Sequence, residues 1–147
     1  MIYIGVDPGK SGAIAFFNPG TKEVWTIKGD ETLRDLHSEL ENAVIYESGR
    51  VFAMLEQVHA MPGQGVSSTF KFGQSYGQLE ALLVCSGISF DRVTPAKWQT
   101  ALSCRSKGDK NVTKAKAQEL FPQVEKVTHA TADALLLAEY CRRKHES

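Results

Sequence analysis

Three short apolar, β-rich segments fill the first 28 residues, and the hydrophobic period then changes abruptly from two to 3.6. Few folds accept such an opening. Ile2 to Val6 runs into the turn signal Asp7-Pro8-Gly9-Lys10-Ser11-Gly12, and Ala13 to Phe17 returns from it, which predicts a β-hairpin. Asn18-Pro19-Gly20 makes a second turn. Glu23 to Lys28 then alternates between outside and inside and adds a third antiparallel strand. Beyond it Leu33, Leu36, Leu40 and Val44 follow helical spacing with acidic residues on the opposite face, predicting a helix that Asp30 could cap and that runs to about Tyr46 before Ser48-Gly49.

Val51 to Leu55 is a continuous apolar run that delivers Glu56 at its C-terminal end, the pattern of a buried, central strand whose last residue emerges into a crevice. Gln57 to Ser68, with two glycines and a proline, reads as a connection, and Phe70 to Cys85 as a helix stopped before Gly87. Ile88 to Val93 supplies another strand. Thr94-Pro95 starts a short helix bearing Lys97 and Trp98, and Ser103 to Asn111 forms a polar, basic loop. A helix from Val112 to Phe121 follows, closed by Pro122, and a last one spans about His129 to Arg143, with Ala132, Leu135, Leu136 and Tyr140 available for packing. Three strands, helix, strand, helix, strand and then helices predict an α/β architecture: a mixed five-stranded sheet with helices on both faces, the order of the ribonuclease H-like fold.

At 147 residues the chain fits one domain, 1–147, and is too short for two ordinary enzyme domains. Its apolar runs fall far short of the ~20 residues that cross a bilayer, so no membrane association is expected. Asp7 interrupts the opening run where a secretory signal would stay apolar. Cys85, Cys104 and Cys141 are odd in number and widely spaced, which argues against a disulfide framework or a zinc ribbon and for a reducing, cytoplasmic setting. Net charge is zero, yet its distribution is polar. From Glu23 to Glu56 there are eight acids against three bases, a net of −5; from Lys97 to Lys116 there are six bases against Asp109 alone, a net of +5. A basic stretch within a neutral chain suits local phosphate binding better than unspecific attraction to polyanions.

Asp7 at the end of the first strand, Glu56 at the end of the later one and Asp133 near the start of the last helix could meet at one sheet edge. Such a cluster repels itself and raises its own pKa values unless cations neutralise it. Oxygen-only ligands select Mg²⁺ or Mn²⁺ rather than zinc. Two such ions ~4 Å apart can activate water and stabilise the leaving 3′ oxygen of a phosphodiester, with no Ser or Cys nucleophile needed. Each carboxylate alone also has a plain structural use: a turn residue at Asp7, a complement to the helix dipole at Asp133.

Ile4-Gly5-Val6-Asp7-Pro8-Gly9, Leu55-Glu56-Gln57-Val58, Phe72-Gly73-Gln74-Ser75-Tyr76-Gly77 and Ala132-Asp133-Ala134-Leu135 together resemble the successive motifs of the RuvC family of Holliday junction resolvases, in the family's order. The resemblance covers Met1 to about Cys141, although Gly20 to Gly49 matches only in pattern; the short chain and its Lys-rich penultimate helix are more similar to phage-type members. It implies a homodimeric, Mg²⁺-dependent endonuclease that nicks two opposing strands of a four-way DNA junction, with two ions per active site. Asp7, Glu56 and Asp133 would then be the metal-binding carboxylates. Relatives carry an acid or His three residues before the last Asp, where this chain has Ala130; His129, four residues before, shares a helix face with Asp133 and is the candidate fourth ligand.

Lys97 and Lys110 fall near positions where the family places basic residues beside the scissile phosphate. Arg105, Lys107 and Lys114 are further candidates for DNA contact. Gln57, His59, Gln64 and Ser68 lie in the segment that enters the junction centre in this family, with His59 where bacterial relatives often have an aromatic wedge. Phe70, Phe72 and Tyr76 suit helix core and dimer contacts. Three other readings share features of the sequence: a broader nuclease for flaps, branches or forks, a junction-binding protein with weakened catalysis, and a ribonuclease H acting on RNA hybrids. An ATPase of the actin and sugar-kinase type needs two such domains, so no nucleotide cofactor is expected.

Overall fold

Along the first strand, β1 (Ile2–Asp7), alternate residues face opposite ways, and both faces carry residues that need covering. The computed structural model, which describes residues 1–147, covers both. β2 (Ala13–Asn18) and β3 (Glu23–Lys28) add antiparallel strands on one side of β1, while β4 (Val51–Glu56) and then β5 (Ser89–Val93) add parallel ones on the other. The sheet order is β3-β2-β1-β4-β5. The central strand is therefore β1, and the strand that carries Glu56 lies one place out from the centre; a fully apolar run marks a strand buried on both faces, which β4 is in either place.

Ile2, Ile4, Val6, Ile14 and Phe16 face α1 (Leu33–Tyr46) and α2 (Val66–Cys85), which contribute Leu36, Leu40, Leu79 and Leu83. Tyr3, Ala13, Ala15, Phe17 and Met54 face the other layer, made by α3 (Pro95–Ala101), α4 (Lys110–Leu120) and α5 (His129–Glu146). Helices on both faces of a mixed sheet are thus observed as expected. α5 is the keel of its layer. From Thr131 to Cys141 every residue except Asp133 is buried, so this helix is enclosed on all sides rather than along one stripe.

Element ends differ from expectation where a cap outweighs the hydrophobic pattern. Thr32, not Asp30, caps α1, its side chain accepting from the Asp35 N–H at 3.1 Å. α2 begins at Val66, so Ser68 sits in its first turn and the connection is only 57–65. α4 begins at Lys110 because the Asp109 carboxylate accepts from the Asn111 N–H at 3.0 Å, which moves Lys110 and Asn111 out of the loop and onto the helix. The last helix runs three residues beyond Arg143, its final turn carrying Arg143, Lys144 and His145 where positive charge complements the helix dipole. All three cysteines are free, and no helix is long and apolar enough to cross a membrane.

Candidate active site

β1 and β4 are parallel neighbours with Val6 opposite Leu55, so the next residues, Asp7 and Glu56, leave the sheet side by side at its C-terminal edge. Crevices outside the carboxyl ends of parallel strands are where such sheets bind ligands. Both carboxylates lie on the α5 face, and Gly5 brings that helix to them. A Cβ on Gly5 would stand 2.1 Å from the Ala134 carbonyl oxygen and 2.4 Å from the Ala138 nitrogen. The α5 backbone therefore rests directly on β1, two residues from Asp7, and Asp133 immediately precedes the contact. On the other side the hairpin turn folds back so closely that a Cβ on Gly12 would lie 2.1 Å from the Asp7 carbonyl oxygen. Asp7 is thus held by backbone approach from both directions.

The electrostatics record this convergence. Burial raises the Asp7 carboxyl well above its usual range, and the neighbouring charges of Glu56 and Asp133 raise it further. Glu56, itself buried, is pushed up to about 7, chiefly by burial and further by Asp133, while the hydrogen bonds from Trp98 and Asp7 hold it down. Asp133 is raised by burial and held down by a hydrogen bond from Thr113 and by the charges of Lys110 and His129. Asp7 and Glu56 stand close enough to act strongly on each other, and the charge of Asp133 bears on both.

Two groups that hold these carboxylates were not singled out for function from the sequence. The Trp98 indole N–H donates to Glu56 Oε2 at 2.7 Å, with the indole entirely buried. Thr113, buried on α4 with its hydroxyl donating to the Lys110 carbonyl at 3.3 Å, lies close enough to Asp133 to hold its carboxyl down. Helical spacing marks both as core residues, and no local pattern distinguishes a core Trp that also has an acceptor. Lys110, by contrast, carries a readable signal: a cation in the first turn of a helix opposes the dipole, a cost that α4 accepts while Lys110 favours the charged forms of Asp7 and Asp133. His129 opens α5, exposed, and its charge bears on Asp133 without a direct ion pair. Lys97 lies next to Trp98 on α3, exposed; the cations that bear on the carboxylates are Lys110 and His129.

No three His, Cys, Asp or Glu side chains are gathered as a ready-made metal cage. The donors nonetheless fit a hard divalent cation in kind: all are oxygens, and their mutual repulsion is of the sort a cation relieves. Asp7, Glu56 and Asp133 are the residues that would hold it, and His129 is placed on their rim.

No protein-family model matches the sequence, and no curated protein does. Solved structures do. RuvC of Thermus thermophilus in complex with a Holliday junction substrate superposes over 98% of this chain and 96% of its own, with a TM-score of 0.63 at 14% identity. A second structure of Thermus thermophilus RuvC gives 0.59 at 15% identity, over 99% of this chain and 97% of that one. The fold is that of RuvC. The yeast mitochondrial Holliday junction resolvase Ydc2 aligns less completely, with a TM-score of 0.56 at 15% identity over 95% of this chain and 77% of its own.

Within this RuvC fold the remaining candidate residues surround the carboxylate end in two groups. Gln57, His59, Gln64 and Ser68 are exposed, from the end of β4 to the first turn of α2; the Gln57 N–H donates to the Val93 carbonyl at 2.7 Å and so fastens the start of the segment. His59 and Gln64 border a small cavity of about 140 Å³ with Phe72 and Tyr76. Arg105 and Lys107 lie on the exposed loop before α4, where Lys107 and Gly108 both adopt positive φ (50° and 91°), and Lys114 is half-buried on α4 itself.

Proposed function

We propose that this chain is a divalent-cation-dependent DNA endonuclease that resolves four-way junctions by paired nicks in opposing strands. The observation that carries the reading is the convergence of Asp7, Glu56 and Asp133 at the carboxyl edge of a RuvC-fold sheet, beside Lys110. Mg²⁺ or Mn²⁺ would supply the positive charge that activates water and offsets charge on the phosphodiester. The chain's own residues do the rest. Asp7, Glu56 and Asp133 provide a rigid oxygen platform; Lys110 neutralises charge developing on the phosphate; Arg105, Lys107 and Lys114 extend the positive surface along which a strand is laid. Trp98 and α5 close the carboxylates off from the core side, so solvent and substrate enter from the outer edge.

Homodimerisation is part of the proposal and has support in α2. Val66, Phe70 and Val84 are 89%, 73% and 66% exposed, and between them Gly73, Gly77 and Ala81 leave the same face open, with nothing within 4 Å of a Cβ added at either glycine. Spaced four, three, four, four and three residues apart, these six form one continuous stripe. A helix face that is apolar at its ends and flat at its middle suits an isologous contact with a second copy, and a two-fold enzyme suits a pseudo-two-fold junction.

The test is a nicking assay on a synthetic four-way junction, each strand labelled in turn, alongside duplex, flap, fork and RNA-hybrid substrates. Symmetric paired nicks with Mg²⁺, abolished in Asp7→Asn while junction binding persists, are the expected result. Cleavage spread over flaps and forks would instead make the chain a broader structure-selective nuclease. Tight junction binding without nicks under Mg²⁺ or Mn²⁺ would make it a junction-binding protein, and normal cleavage by Asp7→Asn would overturn the metal site.

A further inference from the structure

We propose that Trp98 is a positioning residue for the cation site: its indole N–H fixes Glu56 Oε2, so that the other carboxylate oxygen is the one presented to a divalent cation. The inference rests on the metal-dependent reading above and deepens it. A buried indole N–H must find an acceptor and a buried carboxylate must find donors, and here each satisfies the other at 2.7 Å. Volume alone would have been served by Phe or Leu. The indole group is a donor only; it cannot ligate a metal or accept a proton, so it occupies one oxygen of Glu56 and leaves the second free.

The donor is itself held in place. Trp98 is 0% exposed among Leu102, Cys104, Phe121 and α5, and its helix is capped by Thr94, whose side chain accepts from the Lys97 N–H at 3.4 Å, with Pro95 as the first helical residue. Glu56 is anchored from the other side by β4, paired with β1 and β5. The carboxylate plane is thereby set by two rigid elements from opposite directions. Partners of this kind, which orient a ligand without touching the metal, usually account for tenfold to hundredfold in metal affinity.

The experiment measures Mn²⁺ binding to the full chain, by the loss of the free-ion paramagnetic resonance signal and by quenching of Trp98 fluorescence with Trp25→Phe as background. The chain has two tryptophans, and Trp25 lies on β3, stacked on Phe16, away from the site. The expected result is quenching of Trp98 by Mn²⁺ and a fall of about tenfold or more in Mn²⁺ affinity for Trp98→Phe, measured well below the variant's own melting temperature so that loss of fold does not enter the comparison. Should Trp98→Phe fail to fold, substitution of Trp98 by benzothienylalanine, which exchanges N–H for sulfur and keeps the ring shape, is expected to show the same fall. Unaltered Mn²⁺ affinity in the folded variant overturns the inference and leaves the nuclease reading intact. Absence of Mn²⁺ binding by the unchanged chain overturns both.

Discussion

Asp7, Glu56 and Asp133 each prefer a proton in the folded chain, because burial and mutual repulsion penalise their charges. The folded pKa values are raised above the unfolded ones, so the stability these groups contribute is complete below about pH 4 and is lost as pH rises through the folded values, about 7 for Glu56. Without cations, Asp7→Asn is accordingly expected to be more stable than the unchanged chain at pH 8, with the gap narrowing as pH falls and closing only below about pH 4. Mg²⁺ should raise the melting temperature of the unchanged chain at pH 8 and leave that of Asp7→Asn where it was; calorimetry with and without cation checks both. Lys110 belongs at this scale too. Lys110→Ala should slow cleavage and lower the salt slope of junction binding by about one, and an unchanged slope would remove Lys110 from the phosphate contacts. The three carboxylates were legible in the sequence because each stands where an apolar run or a helix meets a turn. Trp98 and Thr113 were not, since their role depends on a partner 42 residues away for Trp98 and on the packing of α4 against α5 for Thr113.

Among the elements, the α5 contact with β1 decides whether a site exists. Gly5→Ala would drive a methyl group into the Ala134 carbonyl and the Ala138 amide, backbone atoms that cannot move without lifting the helix. The expected cost is about 1–3 kcal/mol or more in urea unfolding, with cleavage lost beyond what stability explains because Asp133 moves with the helix. Gly9 in the same motif is constrained differently: a Cβ there would meet nothing, but its φ of 101° strains any other residue. Element type and order could be read from periodicity alone: the shift from period two to 3.6 at Leu33 and the uninterrupted run Val51 to Leu55 correspond to a packed helix and a doubly covered strand. Boundaries were less legible. Asp109 and Thr32 set two helix starts through single hydrogen bonds, and hydrophobic spacing carries no information about which of several nearby polar residues will cap. Val66 to Thr69 join α2 although they bring no buried residue to it.

Across the whole molecule the two charged stretches fall in different layers. The acidic stretch includes α1, on the face away from α5, while the basic one runs through α3 and α4 beside the carboxylates. A chain of zero net charge therefore carries its excess of base on one side and its excess of acid on the other. The two-fold assembly is tested on α2: Phe70→Glu should shift sedimentation to the monomer and uncouple the paired nicks, while Mn²⁺ binding stays as before. Periodicity alone does not decide whether the α2 stripe meets a partner, because it looks the same facing a core or a second copy. α5 adds a consequence of another kind. A ribosome builds β1 and β4 long before it reaches Asp133, and the third carboxylate arrives only with the helix that also closes the core. A nascent or truncated chain lacking α5 holds two carboxylates and no assembled cluster, so the full carboxylate site comes into being only together with the finished fold.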